Sequence, residues 1–182
     1  MLTMPDIDKN VMGRREQIAE ALRKIVPGEG VITEEAERRA YETDGLTAYK
    51  QLPLIVVLPE TTEQVSQVLR YCNDNKIRVV PRGAGTSLSG GALPLEDGVL
   101  LGLGKFNKVL EVDYANRCAV VQPGVTNLGV TQAVQEMGFY YAPDPSSQIA
   151  CSIGGNIAKN RLASCVSDRA AKYVLERRWD VE

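Results

Sequence analysis

The residues Pro81-Arg82-Gly83-Ala84-Gly85-Thr86-Ser87-Leu88-Ser89-Gly90-Gly91 put four glycines, two serines and a threonine directly after the apolar run Ile77-Arg78-Val79-Val80. Glycine reaches positive φ without strain and has no Cβ to keep a ligand from the backbone. A turn rich in it can aim successive N–H groups into one concavity, which is an anion-binding nest. Thr86, Ser87 and Ser89 add hydroxyl donors, so the chemistry on offer is the holding of a phosphate or diphosphate. Two familiar phosphate loops fail here on a required residue. The dinucleotide fingerprint G-x-G-x-x-G finds Gly83 and Gly85, but its third position is Leu88, and Gly90-Gly91 and Pro94 stop a helix from following. The P-loop spacing from Gly85 to Gly90 has Gly91 where the lysine must stand.

The 182 residues contain no histidine. That removes histidine-based acid–base chemistry, Ser-His-Asp and Cys-His nucleophile arrangements, and the commonest transition-metal ligand. No residue is assigned as catalytic and none as a metal ligand. Cys72, Cys118, Cys151 and Cys165 are too far apart in sequence for a zinc knuckle or a redox pair, and read as buried small hydrophobes. A net charge of −2 and an aromatic content of 5% speak against nucleic acid as a partner. The longest apolar run, Leu54 to Leu58, is far too short to cross a bilayer, and Met1 to Asn10 has no apolar signal region. A cytoplasmic, reducing location is expected.

The elements that must position the loop follow from periodicity. Ile18, Leu22, Ile25 and Val26 give a helix over 14–26 that ends at Pro27-Gly28. Thr33 reads as the N-cap of a second, acidic-fronted helix to about Tyr41, which Thr43-Asp44-Gly45 terminates. Leu54 to Leu58 suits a strand buried on both faces. Val65, Val68, Leu69 and Cys72 give a helix to about Asn73, and Ile77 to Val80 the next strand, completing a β–α–β unit with an expected right-handed crossover. The glycine loop leaves the C-terminal end of that second strand, where ligands bind in open α/β sheets. Gly98 to Leu103 reads as a third strand, and 108–112 and 118–122 as a hairpin around Asp113-Tyr114-Ala115-Asn116-Arg117. A helix is expected over 126–137 with Leu128, Val130, Ala133, Val134 and Met137 inward, then a loop from Tyr140 to Ile149. Ser152-Ile153-Gly154-Gly155-Asn156 forms a second glycine turn.

A diphosphate cradle without helix dipole or lysine, at Pro81 to Gly91, resembles the FAD-diphosphate loop of the PCMH-type (vanillyl-alcohol oxidase superfamily) flavoproteins. Pro123-Gly124-Val125 resembles the family's P-G-V turn, Asp144-Pro145-Ser146-Ser147 its P-D-P-S-S loop, and Cys151 to Asn160 its I-G-G-N segment. Among branches the wording is most similar to the glycolate oxidase FAD-binding subunit and the D-lactate and D-2-hydroxyglutarate dehydrogenases. The resemblance implies an α+β, two-lobed fold: a small α/β lobe and an incomplete antiparallel β/α lobe, with extended FAD between them. It divides the chain into an N-terminal helical segment over 1–49, a FAD-binding domain over 50–160 and a divergent tail over 161–182.

The same resemblance assigns roles. Pro81, Arg82, Gly83, Ala84, Gly85, Thr86, Ser87, Gly90 and Gly91 belong to the diphosphate site, the N–H groups of Gly83 to Ser87 with Gly90 and Gly91 as donors. Pro123, Gly124 and Val125 let backbone approach the cofactor. Asp144, Pro145, Ser146, Ser147, Ser152, Gly154, Gly155 and Asn156 line the rest of the groove. Thr86 stands where some members carry the flavin-tethering histidine, so FAD is expected to be held without a covalent bond. Arg82 itself reads as an anchor of the loop, Asp44-Gly45 as a turn, and Asp113 as the start of the hairpin turn. Asn156 divides evenly between holding its own turn and contacting FAD.

After Asn160 the family wording stops. Leu162, Val166, Ala170 and Tyr173 or Val174 give a weak helical stripe, and Trp179 lies near the end. The expectation is a truncated or frame-shifted chain that keeps the flavin-binding half of a 2-hydroxy-acid oxidoreductase, unstable and weak in FAD affinity. The complete enzyme would act on a small 2-hydroxy acid. The alternative is a non-catalytic FAD-binding or assembly module that works by pairing with partner subunits.

Overall fold

The computed structural model describes residues 4–143, 146–158 and 172–177. The chain divides into two compact units, Met1–Lys105 and Phe106–Glu182.

In the first unit, α1 (Lys9–Gly13) is capped by Asp8, whose carboxylate accepts from the N–H groups of Asn10 and Val11. The next helix, α2 (Arg15–Ile25), buries Ile18, Ala19 and Leu22 on one stripe. Thr61 caps α4 (Thr62–Asp74), its Oγ1 accepting from Gln64 N at 3.2 Å. Strands β1 (Val31–Ile32), β2 (Ile55–Val57), β3 (Arg78–Arg82) and β4 (Gly98–Gly102) form a sheet in the order β1-β2-β4-β3. Strand β1 is antiparallel to β2, whereas β2 and β3 both run parallel to β4. Side chains alternate across a strand, and Ile55, Val57, Val99 and Leu101 share a core with Ile18, Leu22, Val68 and Cys72. Val56 and Leu100, of opposite parity, are also fully buried, as a parallel sheet covered on both faces requires.

The order puts β4 between the two strands of the β–α–β unit, and leaves β3 at the sheet edge. An edge position tolerates Pro81, which has no N–H to give a further strand. Residues 1–49 contribute β1, α2 and α3 (Glu35–Arg38) to this unit rather than standing apart from it. The expected Thr33 cap is corrected: Glu34 holds the N-cap position of α3, and the Thr33 carbonyl instead accepts from Arg38 Nε at 3.0 Å.

In the second unit, β5 (Val109–Asp113) and β6 (Cys118–Val121) pair antiparallel. Asp113 does start their turn, its Oδ1 accepting from Asn116 N at 2.9 Å. The sheet continues β5-β6-β8-β7, with β8 (Lys172–Arg177) antiparallel to both β6 and β7 (Phe139–Tyr141). Helix α5 (Asn127–Val134) starts at Thr126, whose Oγ1 accepts from Gly129 N at 3.0 Å. It ends three residues earlier than its apolar pattern suggested: residues Gln135–Met137 tighten to a 3₁₀ turn, and Gly138 closes it at φ 73°. Met137 therefore faces solvent; Ala133, expected inward, is also exposed within α5, while Val130 and Val134 pack with Ala119, Val121, Tyr141 and Ile153. The expected loop from Tyr140 begins instead as strand β7. Tyr173 and Val174 lie in strand β8, not in a helix; Leu162, Val166, Ala170 and Trp179 fall outside the described residues. The last helix, α6 (Ile153–Ala158), carries the second glycine motif.

Among the described residues no helix is long and apolar enough to cross a membrane. Cys72, Cys118 and Cys151 are buried and unpaired, as their isolation in sequence suggested.

Two outcomes test the first core. Leu100→Ala, at the centre of the sheet, should cost about 2–5 kcal/mol in urea unfolding, whereas Leu69→Ala, 45% exposed on α4, should stay within ~0.5 kcal/mol. Burial pushes the Cys72 thiol from its ordinary 9.0 up to about 11. The neutral thiol's contribution is complete below the unfolded value and is lost as pH rises through the folded one. Stability should fall by about 1.4 kcal/mol per pH unit across that window, and a Cys72→Ala chain should show a shallower slope in the same titration.

Candidate functional site

Arg82 ends β3 and turns its guanidinium back under the loop that follows. Its Nη1 donates to the carbonyls of Thr43 at 2.7 Å, Tyr41 at 3.3 Å and Ala92 at 3.4 Å. It also lies over the Tyr41 ring, 5.7 Å from the centroid. Burial lowers its pKa from the ordinary arginine value, and the charges of Asp44 and then Tyr41 oppose that shift. One side chain therefore fastens backbone from both ends of the loop to the 41–43 segment. The anchoring role read from sequence is what the geometry gives.

A second tie runs from Gly45 N to Gly85 O at 2.8 Å. Gly85 adopts φ +73°, and a Cβ there would run into the Arg82 guanidinium. On the other side of the tie, a Cβ on Gly45 would come within 2.8 Å of the Thr86 carbonyl oxygen. Gly90, at φ +74°, accepts at its carbonyl from Leu93 N at 3.1 Å and closes the loop. Ser87 Oγ accepts from Ser89 N at 3.2 Å. Among the described residues, the N–H groups of Gly83, Ala84, Gly85, Thr86, Ser87 and Leu88 bond to no other group of the chain. Six consecutive unbonded backbone donors on a loop fastened in this way are the donor set that a nest for an anion needs.

The turn at Asp44-Gly45, which reads from sequence as punctuation, is the platform of this loop. Asp44 is 5% exposed; its Oδ1 accepts from Leu46 N at 3.0 Å, and its Oδ2 is buried without a hydrogen-bond partner. Nothing local in Thr43-Asp44-Gly45 signals a partner forty residues on, so sequence reading had no means of finding it.

In the second unit the structure brings two motifs together. Ile153 N donates to Val125 O and Gly154 N to Pro123 O, both at 2.8 Å, and Thr126 bridges Ser152. A Cβ on Gly154 would come within 2.7 Å of the Pro123 Cβ, so the close approach needs glycine. Gly124 N is committed to Phe106 O at 2.6 Å. Pro123, Gly124, Val125 and Gly154 are thus joined into one scaffold, and the N–H groups of Gly124, Val125 and Gly154 are used within the chain. Ser152 is buried and its Oγ accepts from Gly155 N at 3.4 Å, which caps α6. Asn156 is 5% exposed and gives its Nδ2 to Asn127 Oδ1 at 2.6 Å. Asn156 thus ties α6 to the start of α5.

Asn127 is the residue that sequence reading missed here. Fully buried at the start of α5, it accepts from Asn156 and from the Cys151 thiol at 3.5 Å, and donates to Pro143 O at 3.1 Å. Leu128 N adds a bond to Gln148 O at 3.1 Å. Both flanks of the P-D-P-S-S loop are therefore tied to one helix end. A polar side chain immediately after the Thr126 cap, in a helix with an apolar inner face, was the available signal. Ser146 is exposed and Ser147 half-buried, its carbonyl accepting from Ala150 and Cys151; Asp144 and Pro145 lie outside the described residues.

Residues 53–176 match the family model described as FAD binding domain. The chain belongs to the FAD binding domain family. The match reaches beyond Asn160 and takes in β8, so the family pattern continues into the stretch whose wording looks foreign. The chain is 52% identical over 157 residues to glycolate oxidase subunit GlcD of Escherichia coli (strain K12), covering 86% of this chain and 30% of that protein. It is 35% identical over 158 residues to the D-lactate dehydrogenase of Anaerostipes hadrus, covering 86% of this chain and 32% of that protein. The fold is similar to that of p-cresol methylhydroxylase with substrate bound, at a TM-score of 0.71 and 23% identity, over 86% of this chain and 31% of that one. The chain thus spans about a third of the length of these relatives. The α+β, PCMH-type fold expected from the motifs is the fold observed.

The FAD binding domain's glycine loop fits such a cofactor in its donor set: the unbonded N–H groups are what a diphosphate requires, with no lysine or helix needed. Replacing Gly85 by alanine forces both a positive φ, worth about 1–2 kcal/mol, and displacement of Arg82. Gly90 carries the same positive φ, so the difference between the two positions is the Arg82 displacement: Gly85→Ala should weaken FAD binding at least about ten-fold more than Gly90→Ala, whose Cβ would meet nothing within 4 Å. Fluorescence titration of the two variants side by side makes the comparison.

Proposed function

We propose that this chain is the FAD-holding part of a flavin-dependent 2-hydroxy-acid oxidoreductase. The single observation that carries the reading is the run of unbonded N–H groups from Gly83 to Leu88, set on a loop that Arg82 and Gly45 fix from below. These donors would hold the diphosphate, with Gly90 and Gly91 shaping the loop's far end. The Pro123-Gly124-Val125 and Ser152 to Asn156 scaffold, together with the loop through Ser146 and Ser147, would contribute to holding the cofactor through shape more than through donors. Thr86 in the loop and the absence of histidine support a cofactor held without a covalent bond.

When bound, FAD supplies hydride acceptance from the α-carbon of a small 2-hydroxy acid. What this chain's own residues do is bind and orient. With no histidine they offer no general base of the usual kind, and the relatives named as acting on glycolate or D-lactate are about three times as long. The second reading is a non-catalytic binding module that works by pairing with partner subunits. Both readings suit a cytoplasmic protein.

Titration with FAD and with riboflavin tests the first reading. Saturable binding is expected, weak for FAD and weaker by at least about ten-fold for riboflavin, which lacks the diphosphate. Equal affinity would remove the diphosphate assignment. Denaturing filtration should release all the flavin. Anaerobic addition of glycolate, D-lactate or D-2-hydroxyglutarate should leave the flavin spectrum unchanged; bleaching by any of them would show that the chain turns over unaided.

A further inference from the structure

Asp44 is 95% removed from solvent, yet one of its carboxylate oxygens has no hydrogen-bond partner. A carboxylate isolated from water persists only when a counter-charge is near. That counter-charge is Arg82, on which Asp44 is the foremost favourable charge. The two interact through charge rather than a hydrogen bond: Asp44 Oδ1 is taken by Leu46 N, and Arg82 Nη1 by the carbonyls of Tyr41, Thr43 and Ala92. Those carbonyls flank Asp44 on one side and end the glycine loop on the other. Gly45, next in sequence, makes a second tie to the loop, through Gly85 O. Asp44 is therefore adjacent to both fastenings of the loop and bonded to neither.

We propose that Asp44 is a positioning residue for the diphosphate: its buried charge keeps the Arg82 guanidinium in the clasp, and the clasp keeps the Gly83 to Leu88 donors pointing into one concavity. This rests on the reading that the loop takes the FAD diphosphate. Asp44 does not touch the cofactor, and its direct electrostatic effect on a dianion is repulsive. The two effects differ in sign. If only long-range charge mattered, neutralising Asp44 would tighten FAD binding; if Asp44 positions the loop, neutralising it loosens binding.

Asp44→Asn keeps an oxygen for Leu46 N and removes the charge. In the full 182-residue chain, it should raise the Kd for FAD about ten-fold. In the FAD-free chain it should speed exchange of the Gly45 amide, also about ten-fold, while Val56 in the core strand exchanges as before. Unchanged or tighter FAD binding overturns the proposal. So does a rise in exchange that is as large at Val56 as at Gly45, which would mark Asp44 as a general stabiliser. A double-mutant cycle with Arg82→Gln adds a test of route: the double variant should bind FAD no more weakly than Arg82→Gln alone, and additive losses would show that Asp44 does not act through Arg82. Should Asp44→Asn fail to fold, Asp44→Glu, which retains the charge, should stay within about three-fold of wild type in Kd; a loss of ten-fold or more overturns the proposal. If the wild-type chain takes up no FAD, the cofactor reading falls by itself. The Gly45 exchange then still judges the clasp, and an unchanged rate in Asp44→Asn sinks it.

Discussion

The Arg82 guanidinium is the point at which the 41–43 segment and the far end of the glycine loop are held in register. Carbonyls from residues 41 and 43, and from Ala92 beyond the loop, meet on one nitrogen. Arginine suits this task because its planar fork remains charged even when burial disfavours the charge. A lysine would offer a point charge with no rigid plane for Gly85 to lie against. The positive φ at Gly85, the bare Cα at Gly45 and the buried carboxylate at Asp44 all make sense as accommodations to that one group.

The second unit solves its positioning problem differently, with neutral groups. Backbone bonds join the Pro123 turn to the start of α6, and the side chains of Asn127, Asn156 and Cys151 close a buried polar cluster behind them. Buried amides can satisfy donor and acceptor needs simultaneously, so the cluster carries no net charge to be offset. The contrast is economical. The loop whose donors stay open is braced by an ion, whereas the scaffold of the second unit spends its donors on itself.

Much of this was legible in the chain because the relevant physics is local. The run Leu54 to Leu58 announced a strand buried on both faces, Val65 to Cys72 announced its helix, and Asp113 to Arg117 announced a hairpin. The glycine spacing at 83–91 located the first turn, whereas the turn expected over 152–156 is the start of α6. What could not be read was set by partners distant in sequence. Strand β1 is two residues long and exists because β2 accepts it. Met137 looked inward by period, but the helix had already tightened at Gln135. Strand β8 has no strong pattern of its own and is defined by pairing with β6 and β7. Asp44-Gly45 looked like any turn, since its importance comes from Gly85.

Strand β4 lies between β2 and β3 and is parallel to both, so the connection leaving β3 must carry the chain back along the sheet to insert a strand next to the one it has just left. Such a return takes a dozen or more residues and is usually a helix. Here it is residues 83–97, and the glycine loop is its first half. The glycine loop is consequently also a piece of topology: the residues that leave their donors open are the ones that carry the chain from the end of β3 back to the start of β4. An insertion or deletion there would change the span between two paired strands as well as the donor set.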